Sequence, residues 1–237
     1  MNRANGKRYR YGLIWGLLLG VGLMGWAGSG FGRTKPGHDG EVGPRIIIRM
    51  HDYAGVKGDT VERAEKETAR IFRKAGIETS WVECPVTHAE LAQYPTCQQP
   101  PDAPRFDMNI LPRFMATQLS QPDNTLGLTS FARKGERSFL ASVFFDSITE
   151  EAERTNGSLA VILGYAMAHE LGHLLLPTSG HSPDGVMRVC WTREDLRHAA
   201  CGELVFTPQQ GEQMRGEVRA RAKELATAEL ASDAASK

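Results

Sequence analysis

The chain has 237 residues, and its 28 Lys plus Arg balance 28 Asp plus Glu, giving a formal net charge of zero at pH 7. That balance leaves no summed field to draw in nucleic acid or an anionic surface, so no nucleic-acid partner is expected and function has to come from a local site. The length suits one domain with one core behind an unlike N-terminal stretch, and no fixed period points to a solenoid or propeller.

Lys7, Arg8 and Arg10 precede an apolar, glycine-rich run from Tyr11 to Gly32 that ends in small residues. Residues 1–32 read as an export signal peptide cut near Ala27 to Ser29, or as an N-terminal membrane anchor, because about 20 apolar residues suffice to cross a bilayer core. Either reading puts the body outside the cytoplasm, secreted, periplasmic or held at the membrane. Residues 33–44, "RTKPGHDGEVGP", form a linker, 45–226 the folded domain, and 227–237, closing in "ASDAASK", a disordered tail.

Within the domain "RIIIRM" is a β-branched strand. "TVERAEKETARIFRKAG" puts Val61, Ala64, Ala69, Ile71 and Phe72 on one helical face, with Thr60 as cap and Gly76 as stop, and "IETSWVEC" alternates as a second strand. Strand, helix, strand in that order predicts a crossover and two adjacent parallel strands. Residues 85–104 read as a surface loop, "RFDMNILP" as a third strand, and "LGLTSF" and "SFLASVFFDSI" as two more, separated by "ARKGER". "NGSLAVILGYAMAHELGHLLL" is the longest helical pattern, apolar nearly all round and hence buried, with Ser158 as its cap. Asn156 also heads a glycosylation triplet, but a capping role for this stretch is the simpler reading. A polar amphipathic helix opens at Thr207 and Pro208. The fold class is therefore α+β: a mixed twisted sheet, a crossover helix, a long buried helix and a C-terminal helix.

Four cysteines fit an oxidising compartment, and neighbour pairing, Cys84 with Cys97 and Cys190 with Cys201, is the simplest of three connectivities. The alternative is metal binding by Cys190, His198 and Cys201, although no CxxC spacing is present.

The stretch from Ala168 to Met187, "AHELGHLLLPTSGHSPDGVM", holds three of the seven histidines. His169 and His173 stand four apart on a helix, about 6 Å along its axis and on one face, so both imidazoles can meet one ion. Catalytic zinc takes three protein ligands and leaves a fourth position for water. Pro177 ends the helix and Gly180 lets the chain return, which makes His181 the candidate third ligand. Glu170, about 100° round the helix from His169, would face the open position as the base that activates metal-bound water. Burying His169, Glu170 and His173 unpaired in an apolar helix would cost several kcal/mol, a cost coordination relieves.

"HELGHLLLPTSGHSPDGVM" resembles the zinc site of the metzincin metalloproteases, in which a His-Glu-x-x-His-x-x-Gly-x-x-His helix and turn is followed by a methionine turn. Leu176 and Ser179 stand where that pattern has its glycine and third histidine, so the turn here differs in shape. The resemblance implies a metzincin-like fold, one catalytic Zn2+ held by His169, His173 and His181, Glu170 as base, and Met187 as a hydrophobic floor beneath the metal. It also implies a peptide laid along an edge strand of the sheet, either "LGLTSF" or "SFLASVFF". Arg188 and Trp191 are candidates to line a specificity pocket. If the chain instead resembled the thermolysin-like class, Glu194 or Asp195 would supply the third ligand. No cysteine precedes Cys84, so a propeptide cysteine latch is not expected.

These readings converge on a zinc-dependent metallopeptidase, an endopeptidase acting on a peptide or protein substrate. The alternatives are a secreted, disulfide-stabilised binding domain that keeps the zinc-site fold without cutting, and hydrolysis of a non-peptide amide by the same chemistry. Nothing in the sequence speaks to oligomeric state.

Overall fold

In the computed structural model residues 43–122, 124–130, 137–176 and 181–235 are described. The expected export segment or anchor, nearly all of the linker, the Pro177 and Gly180 turn and the charged link at 132–136 lie outside them. No helix among the described residues is long and apolar enough to cross a membrane.

β1 (Arg45–Asp52) is the spine of the sheet and alternates inward and outward side chains, with Ile46, Ile48 and Met50 buried. It pairs in parallel with β2 (Glu78–Cys84) on one side and β3 (Arg105–Leu111) on the other. β5 (Leu140–Phe144) adds in parallel to β3, and β4 (Gly127–Ser130) closes that edge antiparallel, for an order of β2-β1-β3-β5-β4. The mixed sheet read from the sequence is therefore present. Register partners Ile48 and Phe106, Met50 and Met108, and Ile110 and Val143 all point to one face. There they share a core with α1 (Gly58–Lys74) and α5 (Leu159–Leu175).

The opposite face carries polar groups where β1 and β3 meet. Arg49 grips the Asp107 carboxylate through two bonds of 2.6 and 2.7 Å and donates to Cys97 O at 3.1 Å, while His51 Nδ1 donates to Pro85 O. These bonds and the Cys84–Cys97 disulfide pin the loop after β2, which contains a 3₁₀ turn at Leu91–Gln93 and α2 (Pro95–Gln98). The first expected bridge is thus formed.

Several boundaries differ from the sequence reading, each for a local reason. α1 opens at Gly58 with Lys57 as cap, so Thr60 lies in its first turn, and Thr68 rather than Ala69 completes its buried face. Short α3 (Arg113–Gln118) follows β3. The last strand stops at Phe144 rather than running to Ile148, because Ile148 and Ala152, four apart, form the buried stripe of α4 (Phe145–Thr155). Asn156 ends α4 in the left-handed region at φ 54°. Ser158 holds the cap position of α5, yet its side chain makes no capping bond.

α6 (Arg193–Ala200) is capped by a reciprocal Thr192–Asp195 box. It also explains why the second expected bridge is absent: Cys190 and Cys201 are free, exposed thiols. They flank an eight-residue helix about 12 Å long, whereas bridged Cα atoms lie about 4.4–6.8 Å apart. α7 (Pro208–Ala235) opens on a Thr207–Gln210 box and continues through 227–235, part of the 227–237 tail expected to be disordered, because its Ala-rich composition favours helix.

Candidate metal centre

α5 is held on two sides by two glycines. A Cβ at Gly164 would lie 2.7 Å from Ala64 O, so the helix backbone sits directly on α1, where the Thr68 hydroxyl lies 2.9 Å from both Ala64 O and Gly164 O. A Cβ at Gly172 would lie 2.6 Å from Met187 Sδ and 2.9 Å from the Phe206 ring. The glycine of "HELGH" is therefore the seat of Met187, which is fully buried.

The chain from His181 to Trp191 folds back under α5. Ser182 N donates to Met187 O at 2.8 Å, and Val186 N donates to Val205 O. Gly185 supports the turn with φ at 73°, and a Cβ there would come within 2.4 Å of Val205 O. The turn aims one carbonyl, Val186 O, at the site, where it accepts from His169 Nδ1 at 2.8 Å and from Trp191 Nε1 at 3.1 Å. A carbonyl only accepts, so His169 carries its proton on Nδ1 and turns the Nε2 lone pair inward. Trp191, sitting edge-on to both His169 and Tyr165, braces the ring.

His169, His173 and His181 come together, with candidate ligand atoms all within 4.8 Å of one another. Their ring centroids form a nearly equilateral triangle of 4.8, 5.0 and 5.3 Å. His169 Nε2 and His173 Nε2 are 3.1 Å apart, close to the roughly 3.3 Å between two nitrogens bound at 2.0–2.1 Å to a tetrahedral ion. Burial, chiefly, with the neighbouring imidazoles, pushes the His169 and His173 pKa values down to about 4. Both rings are thus neutral at pH 7, the state that binds metal. His173 Nδ1 is buried without a hydrogen-bond partner among the described residues. The donor set fits an ion that takes three imidazoles.

Glu170 projects from the same turn of α5 to the underside of β4. The Thr129 hydroxyl lies 2.8 Å from Glu170 Oε2 and 2.9 Å from Glu170 O, and a Cβ on Gly127 would fall within 2.6–2.8 Å of the Glu170 side chain. Burial pushes the Glu170 carboxyl up to about 7, against the opposing pull of the Thr129 bond.

The chain matches no protein family model and no curated protein sequence.

The three imidazoles and Glu170 line a cleft of about 680 Å³, bounded on one side by residues 124–129 and on the other by residues 188–191. Arg188 and Trp191 do stand on its wall, Arg188 tied to Asp195 at 3.0 Å. Of the two runs considered for an edge strand, β4 is the edge and lines the cleft, whereas β5 is enclosed between β3 and β4. Glu194 and Asp195 stay out of the centre: Asp195 caps α6, and Glu194 is exposed and paired with Arg197. His198 pairs with Glu194 on α6, and it does not join Cys190 and Cys201 in any metal-holding group among the described residues. Sequence reasoning missed Gly127, Thr129 and Val186 O. The alternation that puts Gly127 and Thr129 on one face of their strand was the available signal for the first two.

Proposed function

We propose that this chain is a zinc-dependent metallopeptidase, metzincin-like in its site, that hydrolyses peptide bonds in peptide or protein substrates outside the cytoplasm. The observation that carries the reading is the convergence of three imidazoles beside a buried carboxyl in an open cleft. His169, His173 and His181 would hold the ion, and Met187 would form the floor under the helix turn that bears them. When bound, zinc polarises a carbonyl and lowers the pKa of solvent at its vacant position to about 7.

The chain's own residues account for the rest. The Val186 carbonyl fixes the His169 tautomer, so its lone pair faces the site. Glu170, with its carboxyl held near neutrality by burial, is suited to take a proton from attacking water and pass it to the leaving amine. β4 offers a free backbone edge along the cleft, where an extended substrate can add as a further strand. Such pairing uses main-chain groups, so side-chain preference is left to the walls, where Arg188 and Trp191 stand.

Purified protein is expected to carry about one zinc per chain and to cleave members of a peptide library in a chelator-sensitive way. Glu170→Gln should keep the zinc and abolish hydrolysis. Hydrolysis that survives this substitution would refute the mechanism, and peptide capture without cleavage by the wild-type chain would favour a binding domain.

A further inference from the structure

We infer that Thr129 is a positioning residue for Glu170, and that Gly127 is a glycine because the carboxyl it holds in place needs the room. The inference rests on the reading of Glu170 as the base. It concerns a strand that no sequence motif marks.

The geometry is unusual in what it ties together. One hydroxyl touches both the backbone oxygen and the side-chain Oε2 of the same glutamate, at 2.9 and 2.8 Å. A free glutamate has three rotatable torsions, and ordering such a side chain costs conformational entropy. Bridging its two ends through one fixed atom selects a single curled conformer. The hydroxyl has only one proton to donate, so it cannot give a full bond to both oxygens at once. It lies as a shared clamp between them.

Thr129 is itself fixed. It is buried, and its strand pairs with β5 through Thr129 opposite Ala141. Two residues back on the same face, Gly127 lets the β4 backbone lie directly against Glu170, where any Cβ would be 2.6 Å from Cγ and 2.7 Å from Oε1. The base is thus gripped from β4 rather than from its own helix. Among the described residues β4 is also the edge strand of the sheet, and it lines the cleft. A peptide added to that edge would lie one strand away from the clamp, so substrate pairing and the aim of the base share one element.

The test compares Thr129→Val and Thr129→Ala, which lose the hydroxyl, with Thr129→Ser, which keeps it. The first two should lower kcat by about tenfold to a hundredfold with KM and zinc content unchanged, and Ser should restore most of the loss. A second readout is independent of turnover. In metal-free protein labelled with carboxyl-13C glutamate, the Glu170 resonance should match wild type in the Ser variant and shift or broaden in the Val and Ala variants. Equal behaviour of Ser and Ala in that spectrum overturns the inference, as does loss of zinc and of the folded state in Val and Ala alike, which would make Thr129 a packing residue. A wild-type chain that binds zinc but cleaves nothing defeats the peptidase reading instead, and the spectra still decide whether Thr129 holds Glu170.

Discussion

Along α5, the segment from Ala160 to Ala168 buries apolar side chains against α1 and the sheet, whereas the segment from His169 to Leu175 buries two imidazoles and a carboxyl in the same rod. Each half is seated by a glycine, Gly164 against the backbone of α1 and Gly172 against Met187. Burial is equal, but the means of satisfaction differ. Apart from the Tyr165 hydroxyl, which accepts from Arg70 and donates to Ala199 O, the side chains of the first half are satisfied by packing. The second requires directed partners, and it finds them outside the helix, in Val186 O, Thr129 and His181. A nearly all-apolar helix can therefore carry a buried polar turn only where loops and strands bring polar groups to meet it.

The sharpest way to break this contrast is to truncate one residue in each half. His169→Ala should abolish zinc binding, read as metal per chain, and His181→Ala should do the same. Leu163→Ala should keep the metal while costing about 2–5 kcal/mol of stability, read by denaturant unfolding. Zinc retained in His181→Ala would move the third ligand elsewhere.

Next in size is the pair of glycines. Gly164→Ala and Gly172→Ala each force a contact under 3 Å and should destabilise by about 1–3 kcal/mol. Only Gly172→Ala should also weaken zinc binding in a competition titration, because it displaces Met187 and the turn beneath the histidines.

A smaller effect separates two carboxyls, Glu170 buried and Glu65 half-buried. Burial, with Glu83 and Glu62 nearby, pushes Glu65 on α1 up to about 7, as burial does Glu170, yet Glu65 does not line the cleft. A raised pKa alone does not mark a site. Between its ordinary value of 4.5 and about 7 the folded protein holds a proton on Glu65 that the unfolded chain releases, so this group's contribution falls as pH rises through that window. Glu65→Gln should flatten the decline, measured as melting temperature against pH. His169 and His173 in metal-free protein run the other way, and their contribution is lost as pH falls from 6.5 towards about 4.

The smallest expected effect is at the thiols. Cys190 and Cys201 should react with an alkylating reagent in the folded protein, while Cys84 and Cys97 should not react before reduction. Modification at Cys190, which lines the cleft, should slow cleavage modestly, and modification at Cys201 should not.

Much of this was legible in the chain because it depends on local spacing. The β-branched run "RIIIRM" and the extended run "RFDMNILP" marked β1 and β3, the spacing of His169 and His173 marked one helix face, and two half-cystines thirteen apart marked a closed loop. α4 was hidden because Phe145 extends the apolar run of β5 and no Gly or Pro separates that strand from the helix. The same short-range view joined Cys190 to Cys201 across a helix that holds them apart.

By itself, then, the sequence determined the residue types of the centre, the buried character of α5 and the mixed order of strands, since each follows from periods of two or of 3.6 residues and from near-neighbour chemistry. Only the tertiary structure decided that His181 closes the triangle, that Val186 O orients His169, and that Gly127 and Thr129 grip Glu170 from another element. Those contacts join residues from 8 positions apart, for His173 and His181, through 17 for His169 and Val186, to 41 for Thr129 and Glu170. Their geometry depends on how whole elements pack, which no local pattern of side chains encodes.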